Sequence, residues 1–214
     1  MQSKNRCAQY LLQINAIKLN PSNPFTWASG LKSPIYCDNR KSLSYPEVRD
    51  FIRDEFVKIV KTHYGNPDVI AGVATGAIAM GVLVAHALNK RFVYVRSEAK
   101  KHGMINLIEG DIKEGQSVVV IEDLISTGGS SLKAVQALRE ANCKVLGMAA
   151  IFTYELPKAL DAFAQEVVDL QTITDYSHLL ETALEINYIN AKEFETLKVW
   201  KKSPADWSAK FEEK

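Results

Sequence analysis

The chain has 214 residues, 47% of them hydrophobic and 24% charged, which suits a soluble globular protein of one domain with a real core. A formal net charge of +1 carries no basic surplus for nucleic acid, so any anion site must be built locally. No apolar run approaches the ~20 residues that span a bilayer, and residues 1–12 lack the long apolar core and small-residue cleavage site of a signal peptide.

Cys7, Cys37 and Cys143 are far apart and form no CxxC pair, so they read as reduced thiols of a cytoplasmic protein and not as a disulfide or zinc site. Residues 3–16 have helical periodicity through Cys7, Tyr10, Leu11 and Ile14. A turn-rich stretch at 20–24 and an irregular segment at 25–40 follow. Pro46 fits the first turn of a helix running to about His63, with Phe51, Ile52, Phe56, Ile59 and Val60 on one face. From residue 68 the pattern repeats as strand, loop and helix. Strands are expected at 68–73, 91–95, 117–121 and 145–152, with helices at 76–88 and 130–141. Residues 97–113 show neither period nor core residues, and the last stretch reads as mostly helical, with Trp200 and Trp207 as packing residues. The β-branched run at 117–121 is that of a central parallel strand, and the alternation predicts a doubly wound α/β sheet.

The informative segment is Val118-Val119-Val120-Ile121-Glu122-Asp123-Leu124-Ile125-Ser126-Thr127-Gly128-Gly129-Ser130. A buried strand leads into two acids, then a loop of hydroxyl and glycine residues, then a helix. Ligands in open α/β sheets sit beyond the carboxyl ends of strands, and a helix N-terminus suits a phosphate. Gly128 and Gly129 let the backbone approach that phosphate, and Thr127 and Ser130 add hydroxyl donors. Carboxylates repel phosphate, so Glu122 and Asp123 make sense facing hydroxyls or a metal. A ribose 5'-phosphate with free 2'- and 3'-hydroxyls satisfies both halves. The plainer alternative is a Ser or Thr N-cap after an ordinary βα loop. No G-x-x-x-x-G-K-[ST] occurs, which disfavours a Walker-type triphosphatase.

This segment resembles the phosphoribosyl-pyrophosphate motif of the type I phosphoribosyltransferases. The resemblance extends over roughly residues 5–190. Residues 25–40, Phe-Thr-Trp-Ala-Ser-Gly-Leu-Lys-Ser-Pro-Ile-Tyr-Cys-Asp-Asn-Arg, are similar to the base-binding hood of the orotate-using members, in the form with Trp27-Ala28 where others have Leu-Lys. Ala28 cannot make that lysine's contact, and Lys32 is the candidate to compensate. Arg96-Ser97-Glu98-Ala99-Lys100-Lys101-His102-Gly103 is similar to the family's mobile catalytic loop, which implies that Arg96, Lys100, Lys101 and His102 reach the pyrophosphate. Taken alone, such a cluster is a solvated face. The stretch 72–77 resembles the family's pyrophosphate loop, or is simply a tight βα turn; Gly76 and Tyr154 stand where other members carry basic residues.

The resemblance implies one phosphoribosyltransferase domain over 1–214, with residues 1–45 as the hood. It implies transfer of the phosphoribosyl group to orotate in pyrimidine biosynthesis, with Mg²⁺ bound mainly through the substrate and Asp123 as its one candidate protein contact. Phosphoribosyl pyrophosphate would be held by Arg96, Lys100, Lys101, His102 and residues 122–130, and orotate by Ser126 and Lys32. Arg96, Lys100, His102 and Asp123 would serve the chemistry, in a homodimer with shared active sites that binds neither nucleic acid nor membrane. The alternatives are an enzyme of the same fold using a purine or uracil, a regulator that keeps the sugar-phosphate site as a sensor, and one domain of a bifunctional protein. The hood argues against the first. The lack of a basic extension argues against the second. A chain that starts at Met1 and stops soon after the fold is expected to stand alone.

Overall fold

The computed structural model describes residues 2–27, 29–96 and 107–211. Helix α1 (Gln2–Gln13) buries Cys7, Ala8, Leu11 and Leu12, the stripe that a helical period places on one side. The segment expected to be irregular contains three short strands, and a fourth precedes it. β1 (Ile17–Leu19) pairs antiparallel with β4 (Ile35–Cys37), and β2 (Phe25–Thr26) with β3 (Lys32–Ser33). These strands are two or three residues long, too short for a period to be visible in sequence. A 3₁₀ segment (Asn39–Ser44) leads to α2 (Pro46–Ile59), which starts on Pro46 and buries Val48, Ile52 and Phe56. A π-helical turn (Val60–Tyr64) carries it to Gly65, whose φ of 73° ends it.

The doubly wound unit follows: β5 (Val69–Val73), α3 (Ile78–Leu88), β6 (Arg91–Val95), β7 (Ile108–Glu109), β8 (Ser117–Ile125), α4 (Gly129–Glu140), β9 (Lys144–Thr153), α5 (Pro157–Gln165), β10 (Leu170–Asp175) and α6 (Tyr176–Glu185). Two more helices, α7 (Ala191–Lys202) and α8 (Pro204–Ala209), complete the chain. The six-stranded sheet has the order β10-β9-β8-β5-β6-β7, parallel except for β7.

Alternate residues of the central strands feed separate cores on the two faces. Ile70, Val119 and Ile121 join α1, α2, the hood and Trp200 on one side, while Val69, Ala71, Val118 and Val120 pack with α4 and α5 on the other. Such double burial is why the sequence shows continuous apolar runs there.

Two expectations need correction. The 97–113 stretch does contain a core residue, because Ile108 is buried and pairs with Val95 in β7. Strand β8 does not stop before the acids; it continues through them to Ile125 beside β9.

Candidate active site

The sheet reverses its order at β5, which has β6 on one side and β8 on the other. Ligand crevices form outside the carboxyl ends of strands at such a switch point. Pairing of β5 with β8 ends at Gly72 and Ile121, while β9 accompanies β8 as far as Ile125. Glu122 and Asp123 therefore stand where one flank of β8 has lost its neighbour.

The loop after β8 closes the crevice. Gly128 has φ of 83°, and a β-carbon there would lie 2.9 Å from the Phe163 ring, so both backbone and space demand glycine. No side chain caps α4. Its N-terminal amides and positive dipole end are left for an anion. The result is a cavity of about 290 Å³ bounded by this loop, by Thr75 and Gly76 after β5, and by the two acids.

The acids have different surroundings. Glu122 is buried; its Oε1 accepts from the Asp123 amide at 2.9 Å and its Oε2 from Ser131 Oγ at 2.8 Å. Burial, then the neighbouring Asp123 charge, pushes its carboxyl up to about 8. Glu122 thus braces the first turn of α4 from beneath. Asp123 is partly exposed, and its carboxylate occupies the space a side chain at position 76 would need. Its carbonyl accepts from Asn39 Nδ2 at 2.6 Å, and Asn39 is itself buried. That bond ties the hood to the strand carrying the acids.

A second cavity of about 600 Å³ adjoins the first and shares Leu124, Ser126 and Thr127 with it. Thr26, Trp27 and Tyr36 of the hood form one wall and Tyr154 another. Trp27 Nε1 donates to the Ile35 carbonyl at 3.1 Å, and its ring lies 5.3 Å from that of Tyr154. Lys32 Nζ donates to Thr26 Oγ1 at 2.9 Å, placing this lysine behind a wall residue. A separate cavity of about 330 Å³ is lined by Glu155, Glu181, Lys198, Lys201 and Lys202 together with apolar residues such as Leu180 and Phe194, and has no acid–glycine loop.

The structure brings Glu122, Asp123, Leu124, Ser126, Thr127, Gly128, Gly129 and Ser130 around one cavity. Ile125 instead points into the core and is fully buried. Arg96 follows β6, with Nη1 3.3 Å from Glu109 Oε1, and borders neither cavity. Ala28, Lys100, Lys101 and His102 lie outside the described residues. Sequence reasoning did not single out Asn39, Ser131 or Tyr36. Ser131 was within reach of it, one residue past the motif on a helical first turn. Asn39 carries no local signal, because its partner is far along the chain.

A sheet of this order with this loop at its switch point defines a phosphoribosyltransferase, and the family profile described as phosphoribosyl transferase domain matches residues 43–177. The orotate phosphoribosyltransferase of Phocaeicola vulgatus is 58% identical over 202 residues, 94% of this chain and 95% of that one. The Listeria monocytogenes protein of the same name is 52% identical over 207 residues, 97% and 99% of the two chains. The crystal structure of orotate phosphoribosyltransferase from Aeropyrum pernix matches with a TM-score of 0.74 at 26% identity, covering 86% of this chain and 99% of that one. The chain belongs to the orotate phosphoribosyltransferase family.

Proposed function

We infer that this chain transfers the 5-phosphoribosyl group of phosphoribosyl pyrophosphate to orotate, giving orotidine 5'-monophosphate and pyrophosphate for UMP biosynthesis. The observation that carries this is the joining of a loop-and-acid cavity to an aromatic cavity at Leu124, Ser126 and Thr127. A sugar phosphate in the first and a flat ring in the second would meet at those residues. Orotate N1 attacks the anomeric carbon as the bond to the pyrophosphate oxygen breaks, and that bond's electrons leave with pyrophosphate.

The loop from Ser126 to Ser130 binds the 5'-phosphate, and Asp123 accepts from the ribose hydroxyls. Glu122 supports the loop through Ser131. Arg96, Lys100, Lys101 and His102 neutralise the leaving group, so catalysis is mainly positioning and electrostatics. Ser126 borders the ring, and Lys32 acts through Thr26.

Among the described residues no group of three acid, histidine or cysteine side chains is arranged to hold a metal ion. Both Glu122 oxygens are already engaged. This donor set fits a Mg²⁺ held mainly by substrate oxygens, with Asp123 as the one protein carboxylate at hand. When bound, the ion supplies positive charge to the departing pyrophosphate.

We further propose a single domain with residues 1–45 as its hood, a homodimer in which each catalytic loop serves its partner, and a cytoplasmic setting. No helix among the described residues is long and apolar enough to cross a membrane. The test is incubation with phosphoribosyl pyrophosphate, Mg²⁺ and orotate while following loss of orotate absorbance, with uracil, adenine, guanine and hypoxanthine as competitors. Orotate should win by a wide margin, because a site built around a ring carboxylate leaves donors unpaired without it. Comparable turnover of a purine rejects the orotate assignment.

A further inference from the structure

The cavity of about 330 Å³ shares no lining residue with the two cavities of the candidate active site. Two helix faces border it. Ser177, Leu180 and Glu181 are spaced i, i+3 and i+4 on α6, and Phe194, Lys198, Lys201 and Lys202 are spaced i, i+4, i+7 and i+8 on α7. None of these positions serves the chemistry proposed above.

The cavity is built on a polar clasp. Glu155 Oε2 accepts from Ser177 Oγ at 2.6 Å, from the Ser177 amide at 2.9 Å and from Lys201 Nζ at 2.6 Å. Lys201 Nζ also donates to Ser177 Oγ at 2.9 Å. Each member of the clasp directly follows a buried aromatic residue: Tyr154 precedes Glu155, Tyr176 precedes Ser177 and Trp200 precedes Lys201. Those rings pack together, with the Trp200 centroid 5.8 Å from Tyr154 and 5.2 Å from Tyr176. The three chain segments are thus fixed twice, by rings in the core and by the clasp above them. Glu155 has φ of 53°, a conformation that a glutamate rarely adopts and that its surroundings must hold. A cavity held this way is preformed, so a ligand does not pay for ordering it.

The cavity also has polar capacity left over. An ammonium carries three N–H donors, and Lys201 spends two of them on the clasp. Among the described residues neither Lys202 nor Glu181 forms an ion pair. Lys198 lies 5.3 Å from the Phe194 ring centroid and pairs only with exposed Glu195, at 3.3 Å. Of the two glutamates that face these three lysines, Glu155 is engaged by the clasp. An incoming anion is therefore met by Lys201 and Lys202. An apolar body is met by Pro157, Leu180 and Phe194, and an N–H on that body by Glu181.

We propose that this cavity is a second binding site, for a small ring-bearing anion that also carries an N–H donor. Its volume is at the lower end for ligand pockets, which suits a one- or two-ring carboxylate. The proposal does not depend on the orotate assignment.

The probe is indole-3-carboxylate, titrated into the full-length protein and followed by amide chemical shifts and calorimetry. Shifts should gather at Ser177, Glu181, Phe194 and Lys202. Indole lacks the carboxylate and inorganic phosphate lacks the ring, so each should bind about 10-fold more weakly or worse, the loss expected when a hydrogen bond to a charged group goes. Lys202→Glu leaves the clasp intact and replaces attraction by repulsion. It should weaken the probe by a similar factor while keeping the melting temperature and the orotate turnover of the wild type. Shifts confined to Thr26, Trp27 and Tyr36 would place the probe in the aromatic cavity and overturn the proposal. Equal binding of indole, or unchanged affinity in Lys202→Glu, overturns it too. If the wild type fails to consume orotate, the orotate assignment falls, and the shifts on α6 and α7 still decide this site.

Discussion

The carboxylate of Asp123 lies directly over the α-carbon of Gly76, in the space a β-carbon would take. The acid of one strand end thus has its position only because the loop after the neighbouring strand carries no side chain. Gly76→Ala should swing the Asp123 carboxylate away from the ribose position. A displacement of about 1 Å at a reacting centre costs roughly 10²-fold in rate, so kcat/KM for phosphoribosyl pyrophosphate should fall by about that factor. Stability should change by less than about 1 kcal/mol, because the loop borders an open cavity. Wild-type kinetics in this variant would show that the carboxylate position does not matter.

Asp123→Asn tests the acid itself. The amide keeps the shape and loses the charge and half the acceptor capacity. Use of phosphoribosyl pyrophosphate should weaken far more than folding does, read as kcat/KM against the melting curve. A variant with wild-type kcat/KM removes Asp123 from the site.

Asn39→Ala breaks the bond from Asn39 Nδ2 to the Asp123 carbonyl. A buried acceptor left unpaired costs about 1–3 kcal/mol, so denaturant melts should show a loss of that order. The KM for phosphoribosyl pyrophosphate should rise as well, because Asp123 loses its tether. A stability loss with unchanged KM would make Asn39 purely structural.

Glu122 predicts a pH dependence. Its folded pKa, about 8, lies above the ordinary value of 4.5, so the folded state binds the extra proton between those limits. Its contribution to stability is then fully present below pH 4.5 and is lost as pH rises through about 8. Glu122→Gln mimics the protonated form and cannot ionise. Its stability should fall less than that of the wild type between pH 5 and 8.5 in parallel urea melts. Parallel curves for the two proteins over that window would refute the assignment.

Lys100 tests the shared site. Losing one preorganised cation at a developing negative charge costs about 10²–10³ in rate. Lys100→Ala should cripple turnover and leave the melting temperature nearly unchanged. Mixing inactive Lys100→Ala with inactive Asp123→Asn should restore activity toward one working site per hybrid dimer, since one site then carries both defects and the other neither. Subunits that exchange without any return of activity would place the loop in its own subunit.

Much of the fold was legible because it is written in local periods. The apolar runs of β5 and β8 and the 3.6-residue stripes of α1 and α2 need only neighbours in sequence to be seen. The site was legible for a similar reason: the acids, hydroxyls and glycines of 122–130 are contiguous, and a contiguous loop can cradle a phosphate mostly with its own backbone. The short hood strands, β7 and the mixed-polarity edge strand β10 were not, because their pairing supplies what their composition does not.

By itself the sequence determined the alternating α/β order and the run of acids, hydroxyls and glycines at 122–130, both set by residues within a turn or strand of one another. Only the tertiary structure decided how the surroundings of the two acids differ. Glu122 is turned beneath the loop by Ser131, whereas Asp123 is left at the surface by the end of β5 pairing and by the bare backbone of Gly76. It likewise decided that Tyr154, which sequence reading registers as a missing cation, is a buried residue on the wall of the aromatic cavity. These outcomes depend on contacts between residues far apart in the chain, such as Tyr154 with Trp27 and Asn39 with Asp123. No local period encodes such contacts; the closing of hood onto sheet creates them.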